Sequence, residues 1–450
     1  MLPVVKPGTI TAPASASEPS SAQKASTPGS PPSAPVTVFD KLSTDFASKA
    51  CEQHLATTRA IVRAPRRAPL PFAQPDIDDH DIDAVTEVLR SGWLTTGSRV
   101  AAFEGLFAER IGVRNAIALN SATAALHLAL DAAGLERGDE VVVPTMTFTA
   151  CAEVVRYFDA TPVLVDIEPG SLCISVDALA AAITERTRAV IPVHMGGGPA
   201  RMDEIMAIAA SSGVAVVEDA AHAFPATYRG RAIGSIGHMA AFSFYVTKTI
   251  TTGEGGMLVT DNDSYAERVR SMSLHGMSRD AWNRYAGAGT WKYDVVAPGF
   301  KYNMTDLAAA LGISQLKKSD RMAERRKEIA RRYSAELELY PELQVPEADP
   351  RDSHAWHLYV LRLRTDVCGV GRDQFIEELS LRGIKASVHF IPIHRFTYYR
   401  GKYGYVDEQF PVASAEAERI LSLPIYPSMS DHDIDDVIWA VTDTIETHRR

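Results

Sequence analysis

One lysine stands alone among hydroxyl and glycine residues in the stretch FSFYVTKTITTGEGGMLVT, residues 242–260. Lys248 follows an apolar run, and no acid adjoins it. An amine buried beside an electron-poor group loses basicity and becomes a nucleophile; an ordinary surface lysine is the plainer reading. A second segment, VVEDAAHAF, ends an apolar run in Glu218 and Asp219 and places His222 three residues on. A carboxylate at a strand end needs a partner, because burial without one is costly. It can hold the protonated ring nitrogen of a cofactor or cap the next helix. In NSATAAL, a helix begins at Ser121–Thr123 directly after a strand. Its first N–H groups and dipole suit an anion, and Thr123 adds a hydroxyl, though simple capping explains the same residues. In PTMTFTA, Phe148 sits at another strand end, where its face can cover a planar ring or pack into the core.

Together these residues supply an anion cup, a ring stacker, a carboxylate for a pyridinium nitrogen and an amine for a carbonyl. That is the set pyridoxal 5′-phosphate (PLP) requires. No GxGxxG or GxxxxGK[ST] pattern is present, so neither a Rossmann dinucleotide site nor a P-loop is expected. His354, His357, His389 and His394 stand outside any HExxH-like frame, and no metal site is expected.

The elements that must position these groups follow from the apolar pattern. From about residue 70, strand-like runs such as NAIALN, EVVVP, TPVLVDI, AVIPVH and AVVEDA alternate with amphipathic helices. That alternation predicts a mainly parallel sheet covered on both faces. MAAFSFY and GGMLVT are expected strands on either side of Lys248. Ligands of such sheets bind beyond the carboxyl ends of the strands, where all four segments lie. DIDDHDIDAVTEVLRSG reads as an Asp-capped helix ending at Gly92. One long helix is expected from Thr305 to about Leu339, its basic run KKSDRMAERRKEIARR forming a solvated face. Beyond Pro341, the strand WHLYVLRL, the helix RDQFIEELSLRG, the strand KASVHF and the helix DHDIDDVIWAVTDTIETH predict a smaller α+β unit. The expected division is a disordered Pro/Ser/Ala-rich tail over 1–66, a large α/β domain over 67–320 and a small C-terminal domain over 321–450.

Composition narrows the class. The chain has 46% hydrophobic and 23% charged residues, as a globular protein does, and its net charge of −10 argues against a broad nucleic-acid surface. Four scattered cysteines without a CxxC pair suit a reducing compartment better than a disulfide framework. No apolar run approaches the roughly 18 residues of a membrane helix. The N-terminal region lacks the apolar core of a secretory signal, so a cytoplasmic protein without a membrane partner is expected.

The motifs EDAAHAF, AFSFYVTKTITTGEGG, PGFKYNMTDLAAALG and HAWHLYVLRL resemble, in this order, those of the DegT/StrS family of PLP-dependent sugar aminotransferases. The resemblance runs from about residue 70 to the C-terminus. The stretch HGMSRDAWNRYAGAGTWKYDVVAPGFKYNMTDL is most similar to the branch that aminates C4 of UDP-4-keto sugars. The resemblance implies PLP fold type I, with Lys248 as Schiff-base lysine, Asp219 on the pyridinium nitrogen and His222 facing the cofactor's phenolic oxygen. It implies Ala122, Thr123 and Ser243 as phosphate cup and Phe148 as ring stacker. Asn303 would reach the phosphate of the neighbouring subunit's cofactor, which implies a homodimer with shared active sites. Thr95 and His389 fall in segments associated with the sugar nucleotide. The resemblance further implies L-glutamate as amino donor, a nucleotide-linked keto-deoxy sugar as acceptor, and a place in polysaccharide or lipopolysaccharide biosynthesis. Many relatives carry glycine where this chain has Ala122, a change that leaves the backbone N–H free. Related sugar dehydratases carry His in place of the lysine, which Lys248 argues against. A non-catalytic regulator or carbohydrate-binding protein on the same scaffold is disfavoured by the complete cofactor set.

Overall fold

The computed structural model describes residues 64–278 and 293–449. The expected tail up to residue 63, and residues 279–292 of the stretch most similar to the C4 branch, lie outside the described residues. Helices α1 (Asp79–Ser91) and α2 (Ser98–Ile111) come first. They are followed by β1 (Asn115–Leu119), α3 (Ala122–Ala132), β2 (Glu140–Pro144), α4 (Ala150–Arg156) and β3 (Thr161–Val165). Next come α5 (Val176–Ala182), β4 (Thr187–Val190), α6 (Met202–Ser212) and β5 (Ala215–Asp219). A short ribbon, β6 (Thr227–Tyr228) and β7 (Arg231–Ala232), leads to β8 (Met239–Ser243), β9 (Gly256–Thr260) and α7 (Asp263–Ser273).

Seven of these strands form one sheet in the order β1-β9-β8-β5-β4-β2-β3. Strands β2, β3, β4, β5 and β8 pair in parallel, while β9 runs antiparallel to both β8 and β1. Six strands therefore end on one edge, and β9 begins there. The pattern is the one expected of strands buried on both faces: every residue of β2 and β9 is buried. Helix α3 is buried continuously from Ala124 to Leu130, as an Ala/Leu helix with no polar face must be. Asp78 caps α1 in a capping box with Asp81, and Gly92 ends it in the left-handed region at φ 73°, as the sequence predicts.

The remainder comprises α8 (Asp306–Lys317), α9 (Ser319–Leu337), β10 (Leu343–Gln344), β11 (Tyr359–Leu363), α10 (Arg372–Leu381), α11 (Thr397–Tyr403), α12 (Pro411–Ala417), β12 (Ile420–Leu423) and α13 (Asp431–His448). Strands β10, β11 and β12 form a separate antiparallel sheet. Three expectations change here. The single helix predicted over Thr305–Leu339 is two helices broken at Lys318. Its ammonium reaches Asp78 at 2.8 Å and Asp81 at 2.6 Å, and it also bonds the Asp76 carbonyl. The basic run is only partly a solvated face, because Arg326 is buried and donates to the carbonyls of Ile425, Trp356 and His357. Burial lowers its pKa to about 10. The strand expected at KASVHF is reduced to one isolated bridge at Ser387, with a second at Ile384 just before it. No helix among the described residues is long and apolar enough to cross a membrane.

Candidate active site

Lys248 sits in the loop that joins β8 to β9. The loop is closed at its base, where Phe244 N–H donates to Gly255 O at 2.9 Å and Thr252 N–H to Phe244 O at 3.0 Å. The neighbouring hydroxyls build this turn. Thr251 Oγ1 donates to Phe244 O, Thr252 Oγ1 donates to Glu254 O, and Gly253 lies at φ 79°. Lys248 itself is half-buried, and its ammonium has no hydrogen bond or ion pair among the described residues. Burial lowers its pKa from 10.5 to about 8, against an opposing pull from the Asp219 charge. The residue is partly shielded from solvent and its amine less basic than a surface lysine's, so the surface-lysine reading is set aside. Because only the neutral amine attacks a carbonyl, apoprotein should take up PLP about tenfold faster per pH unit below 8 and level off above it. A stopped-flow series in which the rate ignores pH, or turns over near the ordinary lysine value, would remove this account of the amine.

Asp219 ends β5 and is buried. Its Oδ1 accepts the Ala221 N–H at 3.0 Å, and its Oδ2 accepts the Cys151 thiol at 2.9 Å. A turn follows, so the carboxylate supports that turn and does not cap a helix. Beside it, His222 accepts the Gly196 N–H on Nδ1 at 3.3 Å, which leaves the proton of the neutral ring on Nε2. Its ring stacks on Phe390 and lies 4.6 Å from the His357 ring, centroid to centroid. Burial first, and then the charge of Lys248, pushes His222 and His357 well below the usual imidazole range. The same causes bring His389 down to about 4. Lys248, Asp219, His222, His357 and His389 therefore share one electrostatic environment. His389 is held by Ser422 at 2.9 Å and by a stack on Phe72.

The expected anion cup lies at the N-terminus of α3. Ser121 spends its hydroxyl on the Ala124 N–H at 3.0 Å, so it does cap the helix. The N–H groups of Ala122 and Thr123 have no partner among the described residues. Gly256 opens β9 directly against this turn. A Cβ there would stand 2.3 Å from the Ser121 carbonyl carbon and 2.5 Å from the Ala122 nitrogen. Ser243 is the register partner of Gly256, which brings its hydroxyl beside the same helix end. Gly256→Ala should therefore cost about 1–3 kcal/mol of stability, since backbone must move, and should also weaken phosphate binding. Unchanged melting and unchanged affinity for PLP would show that the helix end tolerates displacement.

Phe148 is 56% exposed, so it is no core residue; it projects from the loop between β2 and α4 toward Phe390, 6.1 Å between centroids. Asn303 bridges to Leu119 at the end of β1, donates to Thr96 Oγ1 at 2.7 Å and accepts from the Lys301 ammonium. Thr95 is exposed, and its carbonyl accepts the Asp306 N–H. Among the described residues no hydrogen bond or ring contact joins Thr95 or Asn303 to Lys248, Asp219 or His389. The four histidines weighed for a metal have separate engagements. His354 stacks on Trp356, His394 bonds Thr145 and Asp407, and His357 and His389 flank the cleft. No metal-ligating cluster occurs among the described residues. Sequence reading missed two neighbours of the site. Cys151 carries no motif, and His357 drew notice only as a metal ligand.

The residues fit PLP on three structural counts. There is a partly buried amine without an ionic partner, a buried carboxylate at the same sheet edge, and a helix N-terminus whose cradle a side chain at Gly256 would fill. Comparison with known proteins points the same way. Residues 75–442 match the DegT/DnrJ/EryC1/StrS aminotransferase family. The chain is 50% identical over 378 residues to the spore coat polysaccharide biosynthesis protein SpsC of Bacillus subtilis strain 168, covering 84% of this chain and 97% of SpsC. Among solved structures it resembles Spr1654 of Streptococcus pneumoniae, described as a sugar aminotransferase in its PLP form. The TM-score is 0.79 at 32% identity, over 85% of this chain and 100% of that one. It also resembles Helicobacter pylori PseC, an aminotransferase involved in the biosynthesis of pseudoaminic acid. There the TM-score is 0.79 at 27% identity, over 84% and 100% of the two chains. Fold, site and relatives agree: the chain belongs to the DegT/DnrJ/EryC1/StrS family of PLP-dependent sugar aminotransferases.

Proposed function

We propose that this enzyme moves an amino group from L-glutamate to the keto group, at C4, of a UDP-linked keto-deoxy sugar. The observation that carries the proposal is Lys248, an amine lowered to about pKa 8 without an ionic partner, in the same electrostatic environment as Asp219 and His389. Family membership supports sugar transamination, and the names of SpsC and PseC support an acceptor used in glycan assembly. The nucleotide, the carbon and the donor rest on the resemblance of the motifs.

When bound, PLP supplies the electron sink and the carrier for the amino group. It would be held by Lys248, by Asp219 and His222 along the ring, by the Ala122 and Thr123 N–H groups with Ser243 at the phosphate, and by Phe148 over the ring face. Lys248 Nζ, neutral above about pH 8, would take the proton from the donor's Cα and pass it to the cofactor carbon that receives the amino group. In the second half-reaction it would carry a proton from that carbon to the sugar carbon being aminated. Asp219 would set its carboxylate at the ring nitrogen and favour a proton there. Neutral His222, its Nδ1 occupied by the Gly196 N–H, would have its Nε2–H available to the cofactor. His389 and Thr95 bind the sugar nucleotide.

We further propose a cytoplasmic homodimer in which Asn303 serves the neighbouring subunit's phosphate. The division into a large domain over 67–320 and a small one over 321–450, behind a tail without chemistry, belongs to the same proposal. The test is spectroscopic. Purified protein loaded with PLP should show a visible band that glutamate bleaches and a UDP-4-keto sugar restores. A panel of UDP-, dTDP- and GDP-linked keto sugars then ranks the acceptors. A colourless protein indifferent to PLP would favour the binding-protein reading, and a preference for another nucleotide would overturn the UDP assignment.

A further inference from the structure

We propose that Cys151 is a positioning residue for the Asp219 carboxylate, with Thr147 behind it. The inference rests on the reading that Asp219 meets the ring nitrogen of PLP. Three buried groups form the relay. Thr147 is 1% exposed, Cys151 0% and Asp219 6%. Thr147 Oγ1 lies 3.4 Å from Cys151 Sγ, and Sγ lies 2.9 Å from Asp219 Oδ2. Only one polarity satisfies all three. Burial and the neighbouring Asp219 charge push the thiol well above its ordinary range, so it keeps its proton. An ionised carboxylate only accepts, so the S–H points to Asp219, and Sγ is left to accept from the Thr147 hydroxyl.

The second oxygen, Oδ1, is fixed by the Ala221 N–H. Two donors on opposite oxygens set the plane of the carboxylate, and each oxygen keeps a further lone-pair direction for a ligand. The weakness of the thiol as a donor suits this task. Lysine or arginine in its place would neutralise Asp219 and compete with a protonated ring nitrogen, whereas S–H holds the orientation and leaves the charge in place. The relay also begins next to Phe148, so the loop that offers the ring stacker and the carboxylate that anchors the ring edge are linked through one buried chain of contacts.

The experiment compares Cys151→Ala and Cys151→Ser with the parent enzyme, alongside Asp219→Asn. Infrared spectra of apoprotein come first. The S–H band lost in Cys151→Ser should lie at lower frequency than those of the other thiols, as a thiol donating to a carboxylate does. In the loaded enzyme, Cys151→Ala should lower kcat about five- to tenfold, with KM for both substrates within about twofold. It should also move the pH midpoint of the visible spectrum, while Cys151→Ser, which keeps a donor, recovers both. An S–H band coincident with the free thiols overturns the proposal even if Cys151→Ala does not fold. A Cys151→Ser enzyme as impaired as Cys151→Ala overturns it too, since the effect would then be one of packing. If Asp219→Asn is inactive and Cys151→Ala matches the parent in all respects, this inference alone fails. If Asp219→Asn keeps full turnover, the underlying assignment of Asp219 fails, whatever Cys151 does.

Discussion

Replacing Lys248 by alanine is expected to lower turnover on the order of 10⁴-fold or more, because nucleophile and proton carrier leave together. The protein should still fold. The ammonium has no ion pair among the described residues, so its removal breaks no direct charge contact, and Thr251, Thr252 and Gly253 keep the loop shaped without it. Stability gives a second, independent readout. With a folded pKa of about 8 and an ordinary value of 10.5, the unfolded chain binds more protons between those two pH values. Parent stability should therefore rise with pH across that window, from a state below pH 8 in which the folded protein carries a poorly solvated charge. Lys248→Ala should lose that rise and be no less stable than the parent at neutral pH. Turnover with glutamate and a keto sugar, cofactor fixation by borohydride, and melting curves at both ends of the window measure these effects. Retained turnover would sink the assignment of Lys248.

Asp219→Asn should cost roughly 10²–10³-fold in kcat, the scale seen when one preorganised electrostatic partner is lost. The substitution keeps shape and one acceptor but removes the charge that, on the proposed assignment, keeps a proton on the ring nitrogen. Either orientation sets its amide NH₂ against a donor, the Cys151 thiol or the Ala221 N–H; the S–H can rotate away and the backbone N–H cannot, so the NH₂ should face Cys151. The sign at Lys248 follows directly. The Asp219 charge holds the amine's pKa up, so the variant should move the midpoint of PLP uptake below 8. Capture of the cofactor would then extend to lower pH while catalysis falls. A variant with parent kcat, or a midpoint shifted upward, would contradict the placement of Asp219 beside both groups.

Much of the frame was legible because burial leaves a periodic trace. The runs AVVED, MAAFS and GMLVT became β5, β8 and β9, and DHDIDDVIWAVTDTIETH became α13 with the same ends. The break at Lys318 left no such trace, because no glycine or proline marks it; three aspartates more than two hundred residues away draw the ammonium aside. KASVHF has the alternation of a strand, yet its backbone meets neighbours only at single bridges and its last two rings, His389 and Phe390, turn to the cleft. In the site, residue types and strand-end positions pointed to Lys248, Asp219 and the start of α3. The Cys151 thiol escaped notice because a lone buried cysteine in a helix looks like any small apolar residue. His357 escaped because its meaning lies in the ring it faces, which only folding brings near.

The antiparallel direction of β9 has a consequence for the catalytic cycle. In the reaction proposed above, Lys248 yields its place to the amino donor and must come back once per turnover. Since β8 and β9 are adjacent in the sheet, Ser243 and Gly256 pin both ends of its loop. The displaced amine then searches only the space that its side chain and a loop fixed at both ends allow. Its effective molarity at the vacated position stays high. On the proposed assignment, the one strand that runs against the others shortens the tether on which Lys248 swings.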